Sequence, residues 1–122
     1  MVARKGKQNN PRSANPATER WSIRFSSARA KREWDDAILA EPEIMRDEKE
    51  RLHTKPLDRS ENPRRTHPLK GSRTFVAPSN DEKLPIWQRE PTSAGRIWYA
   101  PDKKAHVLWI TKVTLSHPKE NE

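Results

Sequence analysis

Residues 96–113 read RIWYAPDKKAHVLWITKV, with two apolar segments on either side of a polar turn signal. The proline that opens the segment PDKK at 101–104 presets the backbone angle of a tight turn. We therefore predict a hairpin of two strands, at about 96–100 and 106–113. The segment VLWI at 107–110 is apolar on both faces of its strand, a pattern typical of a central strand covered on both sides.

The segment before this hairpin predicts one strand followed by two helices. Trp21, Ile23 and Phe25 alternate with polar residues, the period of a strand with one apolar face. Serines then precede a predicted helix at about 28–40, and Pro42 separates it from a second helix at about 43–53. The apolar positions expected to face the core are Ala30, Trp34, Ala37 and Ile38 on the first helix, and Ile44, Met45 and Leu52 on the second.

A further strand is predicted at about 85–90, whereas 55–68 is interpreted as a connector and 72–83 as a loop. The predicted fold is α+β, with an N-terminal strand and a two-helix hairpin packed on a small antiparallel sheet. The helices cover one face of this sheet, and the other face or its rim is left open for function.

Composition limits the folded part of the 122-residue chain, because only 31% of it is hydrophobic and 34% is charged. Residues 1–19 are basic and polar with almost nothing to bury, so we predict a disordered N-terminal arm. Residues 20–119 are predicted to form one domain, and 120–122 a C-terminal tail.

The net charge of +8 favours a polyanionic partner such as RNA or DNA, or an acidic protein. The chain has no cysteine, which suits the reducing cytoplasm, our expected location. Its apolar runs are far too short to cross a bilayer, so no membrane partner is expected.

Candidate chemistry rests on cations and imidazoles. Glycine-rich phosphate loops and Cys/His metal spacings are missing from the sequence, so neither a metal nor a cofactor is expected. His67 and His117 both lie beside cations, the surroundings that phosphodiester chemistry needs. Arg96 opens a strand on the same face as Trp98. Most of the five tryptophans are expected to serve the core.

Several segments in this order resemble the RelE/ParE toxin superfamily, in particular an actinobacterial-like branch. The resemblance spans about residues 20–119. The matching segments are WSIRF at 21–25, HPLKGS at 67–72, WQRE at 87–90, GRIWY at 95–99, VLWI at 107–110 and SHPK at 116–119.

The resemblance implies a small α+β toxin of a toxin–antitoxin pair, which a cognate antitoxin silences. RelE-like members cut mRNA on the ribosome, and ParE-like members inhibit DNA gyrase without cutting RNA. By this resemblance Arg96, Lys70 and His117 are the candidate catalytic residues. His117 stands where the best-known RelE pattern has a tyrosine. The candidate nucleic-acid-binding residues are Lys119, His67, Arg64, Arg65 and Lys112.

Three functions follow as hypotheses: a metal-independent mRNA endoribonuclease, a non-catalytic gyrase inhibitor of the same fold, and a basic nucleic-acid-binding protein without toxicity. Antiparallel pairing of the predicted hairpin places the start of its first strand beside the end of its second. We therefore expect Lys70, Arg96, His117 and Lys119 to converge at one end of the open sheet face.

Overall fold

The predicted hairpin lies at the centre of a five-stranded sheet in the computed structural model, which describes residues 20–60, 63–69, 71, 73–78 and 80–115. In chain order the elements are β1 (Ser22–Phe25), α1 (Ala28–Ala40), α2 (Pro42–Thr54), β2 (Thr66–Pro68), β3 (Thr74–Val76), β4 (Lys83–Pro85), β5 (Trp87–Arg89), β6 (Arg96–Asp102) and β7 (Val107–Thr114). The strand order is β1-β7-β6-β5-β2, and β3 and β4 form a separate two-stranded sheet. The predicted α+β class is confirmed.

The sheet is mixed, so the prediction of a purely antiparallel sheet is wrong at its first strand. β1 pairs in parallel with β7, from Ser22 opposite Val107 to Phe25 opposite Ile110. The other strand pairs are antiparallel. Parallel strands need a long crossover, which here contains the two helices. The alternating pattern of β1 predicts which face is apolar but contains no information on strand direction.

Both helices pack on one face of the sheet. The hydroxyl of Ser27 accepts a hydrogen bond from the backbone N–H of Ala30, which caps the start of α1. The main core contains Trp34, Ala37, Met45 and Leu52 from the helices, and Ile97, Tyr99, Leu108, Ile110 and Val113 from the sheet. Ile38 was expected in this core but is 36% exposed. The buried side of α1 contains the other three predicted positions, Ala30, Trp34 and Ala37, and Ile38 lies beside it.

Strand β6 is longer than predicted, and the turn that follows it lies further along the chain. Pro101 and Asp102 pair with β7, and the turn occupies residues 103–106. β5 pairs with β6 only as far as Tyr99, so Pro101 pairs with β7 alone. Proline is tolerated at such an edge position because it lacks the N–H that a second neighbouring strand would need. The Asp102 carboxylate accepts a hydrogen bond from the backbone N–H of Ala105 and so stabilises the turn.

The small β3–β4 sheet covers part of the opposite face, where the sequence predicted a loop. Ala77 and Leu84 form a second buried cluster with Ala100, and Phe75 and Trp109 pack against it. The three-residue strands β2 and β3 are too short for a detectable period, which is why they fell within the predicted connector and the predicted loop. Strand β4 spans the end of that loop and the start of the strand predicted at about 85–90. As a result the small sheet packs over Ala100 and Trp109 on the sheet face opposite the helices.

A buried ion pair joins α2 to the sheet. The Arg89 guanidinium donates to both carboxylate oxygens of Glu48, at 2.9 and 3.1 Å. Arg89 also donates to the hydroxyl of Thr66 on β2. The side chains of Arg89 and Glu48 are only 11% and 9% exposed. Because water hardly reaches either group, each charge is stabilised mainly by its partner.

Candidate nucleic-acid interface

Four side chains form a row on the sheet face opposite the helices. His67 on β2 lies opposite Gln88 on β5, Gln88 opposite Trp98 on β6, and Trp98 opposite Lys112 on β7. Residues directly opposite in antiparallel strands project from the same face. Because strands lie about 4.8 Å apart, the row spans about 14 Å. This row, together with Arg96, is called the open face below.

Trp98 stands at the middle of the open face and is only partly buried. Its indole N–H donates to the Gln88 side-chain oxygen at 2.9 Å. The Arg73 guanidinium lies over the indole, 5.1 Å from the ring centroid. Gln88 in turn donates to the Glu90 carboxylate at 3.2 Å. Trp98 is therefore held in one orientation by a hydrogen bond and is covered by a cation.

Arg96 is anchored through a single nitrogen. Its Nη1 donates to the carbonyl oxygens of Gly95, at 2.7 Å, and Ser93, at 3.3 Å, and lies 3.9 Å from a carboxylate oxygen of Glu90. Its Nε and Nη2 make no hydrogen bond or ion pair with any residue that the structure describes. The side chain is 33% exposed, so these two nitrogens are suited to receive a phosphate oxygen.

Arg96 lies beside the end of β7, as the predicted antiparallel hairpin requires. It pairs with Thr114, and the following residue Ile97 pairs with Val113. The end of β7 therefore lies beside the start of β6. Lys70, His117 and Lys119 lie outside the described residues, so their convergence with Arg96 stays a prediction.

His67 presents one defined ring nitrogen. Its Nδ1 is 2.9 Å from the carbonyl oxygen of Pro68. A carbonyl oxygen only accepts, so Nδ1 carries the proton, and in the neutral ring Nε2 is an acceptor. Nε2 is therefore the ring atom of His67 that is placed to accept a hydrogen bond from a ligand.

The two arginines that precede β2 differ in their surroundings. Arg65 donates to the backbone carbonyls of Glu90 at 2.8 Å and Pro91 at 2.6 Å, so it fixes the end of β5. This contact gives Arg65 a structural role beside its predicted role in nucleic-acid binding. Arg64 is exposed. Lys112 is partly exposed at the β7 end of the row.

Three residues of this region were not singled out from the sequence: Arg73, Gln88 and Glu90. Successive side chains of a strand project from opposite faces, so Gln88 is predicted on the face opposite Trp87 and Arg89. This alternation was the one sequence pattern that could have indicated Gln88. Its position opposite Trp98 depends on strand register, which the sequence pattern does not contain. Arg73 was within a predicted loop and gave no signal.

The open face combines cations, an imidazole and an aromatic ring, the side chains that bind phosphates and bases. Within the described part of the chain no three potential metal-ligating side chains cluster. No helix in that part is long and apolar enough to cross a bilayer. No protein-family model, curated protein or solved structure matches the chain.

Proposed function

We propose that this chain is a toxin of the RelE/ParE type that binds RNA on the open face and cleaves ribosome-bound mRNA without a metal. The observation that carries the proposal is the position of Arg96 on β6, two residues before Trp98 and beside the row of His67, Gln88, Trp98 and Lys112. The net charge of +8 supports a polyanionic ligand. In this proposal the protein acts in the cytoplasm and is silenced by a cognate antitoxin.

The proposed reaction is attack of a ribose 2′-oxygen on the adjacent phosphorus. A bond forms between the 2′-oxygen and phosphorus, and the bond from phosphorus to the 5′-oxygen breaks. One group takes the 2′-hydroxyl proton and another protonates the leaving 5′-oxygen. The products are a 2′,3′-cyclic phosphate and a 5′-hydroxyl end, so no external oxidant, reductant or water is consumed.

Arg96 would stabilise the negative charge that develops on the phosphoryl oxygens, through its Nε and Nη2. The resemblance assigns proton transfer to His117 and further charge stabilisation to Lys70. An imidazole in that role contributes about 10²–10⁴ in rate. Lys112, Lys119, His67, Arg64 and Arg65 would hold the RNA on either side of the scissile phosphate.

The test is cleavage of mRNA on programmed ribosomes, mapped by primer extension, with wild-type protein and single variants. We expect Arg96→Ala to lower the cleavage rate about 10²–10³-fold, the usual loss for one donor to a developing oxyanion. We expect His117→Ala to lower it substantially as well. Arg46→Ala is the matched control, because it removes an exposed cation from α2.

Wild-type-like cleavage by both Arg96→Ala and His117→Ala would reject the catalytic assignment. Expression that damages DNA while messages stay intact would instead indicate gyrase inhibition. Harmless expression with RNA binding would indicate a binding protein without toxicity.

The antitoxin part of the proposal has its own test. Co-expression with the product of the neighbouring gene should yield a complex that forms faster at low salt, because an acidic segment is attracted to a basic surface. If no complex forms at physiological salt, the toxin–antitoxin assignment is wrong.

A further inference from the structure

Trp98 differs from the other four tryptophans in its surroundings. Trp34 is buried in the main core, Trp21 and Trp87 pack against that core, and Trp109 packs against the second cluster. Trp98 belongs to neither cluster and lies on the open face. Packing of the described core therefore does not explain a tryptophan at this position.

The indole of Trp98 already carries a planar cation on its ring. The Arg73 guanidinium carbon is 5.1 Å from the ring centroid. A base inserted between them would need two stacking distances, about 7 Å at about 3.5 Å per contact. A base can therefore stack on this surface of Trp98 only by replacing the guanidinium.

We propose that Trp98 is a stacking platform for one base of single-stranded RNA, that this base displaces Arg73 from the indole, and that Arg73 then contacts a phosphate. This inference rests on the proposed RNA binding by the open face. It adds to that surface a position that binds a base and an arginine, Arg73, that moves to bind a phosphate.

The relative strengths of the two interactions favour the exchange. An exposed cation–π contact strengthens an association about 2- to 5-fold, whereas stacking of a base on an aromatic ring strengthens it about 5- to 140-fold. The hydrogen bond from the indole to Gln88 keeps the ring in place when the cation leaves. Stacking accepts every base, so the platform binds without strong sequence preference.

The stacking role is tested by the affinity for two short fluorescent oligomers of equal length, oligouridine and an abasic sugar-phosphate chain. We expect the wild-type protein to bind oligouridine more tightly, because the stacking gain of about 5- to 140-fold outweighs the roughly 2- to 5-fold loss of the cation–π contact. Trp98→Leu should abolish this preference, because the variant has no aromatic ring on which a base can stack. Trp98→Phe keeps an aromatic ring and should retain most of the preference. Trp98→Thr, which also suits a strand, should lose the preference and replaces Trp98→Leu if that variant does not fold.

An undiminished base preference in folded Trp98→Leu would overturn the inference. So would a wild-type protein that does not distinguish the two oligomers, or that binds neither of them. The ribosomal cleavage assay decides separately on the proposed function, because it depends on Arg96 and His117 and does not depend on affinity for free RNA.

The second role, of Arg73, is tested by the salt dependence of oligouridine binding. Each phosphate contact to a single strand adds about 0.7 to the slope of log affinity against log salt. Arg73→Ala should therefore lower the slope by about 0.7, whereas Arg46→Ala should leave it unchanged. An unchanged slope in Arg73→Ala would show that the guanidinium does not move to a phosphate.

Discussion

Removal of one partner of the buried ion pair should destabilise the protein strongly. In Glu48→Ala the Arg89 guanidinium, 11% exposed, loses both carboxylate oxygens. An uncompensated buried charge typically costs about 3–5 kcal/mol, a large part of the roughly 5–15 kcal/mol that stabilises a small domain. At a slope of about 1.5 kcal/mol per M, the urea midpoint should fall by about 2–3 M.

Equilibrium urea unfolding followed by circular dichroism measures this loss. The matched control is Glu50→Ala on the same helix, because Glu50 also pairs with an arginine, Arg20, but its side chain is 61% exposed. This control should change the midpoint little, since solvent already screens the exposed pair. The double variant Glu48→Leu with Arg89→Met should recover most of the loss, because it leaves no buried charge unpaired. Equal midpoints for Glu48→Ala and Glu50→Ala would refute the reasoning.

Three further predictions concern pH, backbone space and the N-terminal segment. Burial raises the pKa of Tyr99 above its ordinary value, so the unfolded chain loses this phenol proton near pH 10 and the folded chain does not. The free energy of unfolding should therefore fall above about pH 10. The absorbance of tyrosinate, which comes from this single tyrosine, should rise only when the protein unfolds. Gly95→Ala should lower the free energy of unfolding by about 1–3 kcal/mol, because the new Cβ would lie 2.8 Å from the Thr92 hydroxyl oxygen. It should also lower the cleavage rate, because residue 95 directly precedes Arg96. An unchanged melting temperature would contradict this prediction. Deletion of 1–19 should weaken RNA binding mainly at low salt with little change in melting temperature, and a large drop in that temperature would show that the segment is packed.

The sequence predicts the helices and the long strands well because their periods are strong. Trp34 and Ala37 repeat with the helical period, and both lie in the core as expected. Pro42 separates the two helices, although it forms the first residue of α2 instead of lying before it. The central position of β7 followed from its two apolar faces, and β1 and β6 flank it.

The candidate site was predictable only in part. Arg96 was found from its strand, and the register places it beside the end of β7. Gln88 and Arg73 were missed because their roles depend on contacts with Trp98, and each contact joins residues from different elements. The parallel pairing of β1 was missed for the same reason, since its partner β7 lies at the far end of the described chain.

We predicted the α+β class, the two-helix hairpin, the apolar centre of the sheet and the positive charge from the amino-acid sequence alone. These properties depend on composition and on periods within single segments, which local backbone geometry imposes. The sequence patterns could not place His67, Gln88, Trp98 and Lys112 in one row, whereas the strand register of the folded protein does. Their register comes from hydrogen bonding and core packing between strands distant along the chain, and a shift of one residue would move each side chain to the other face.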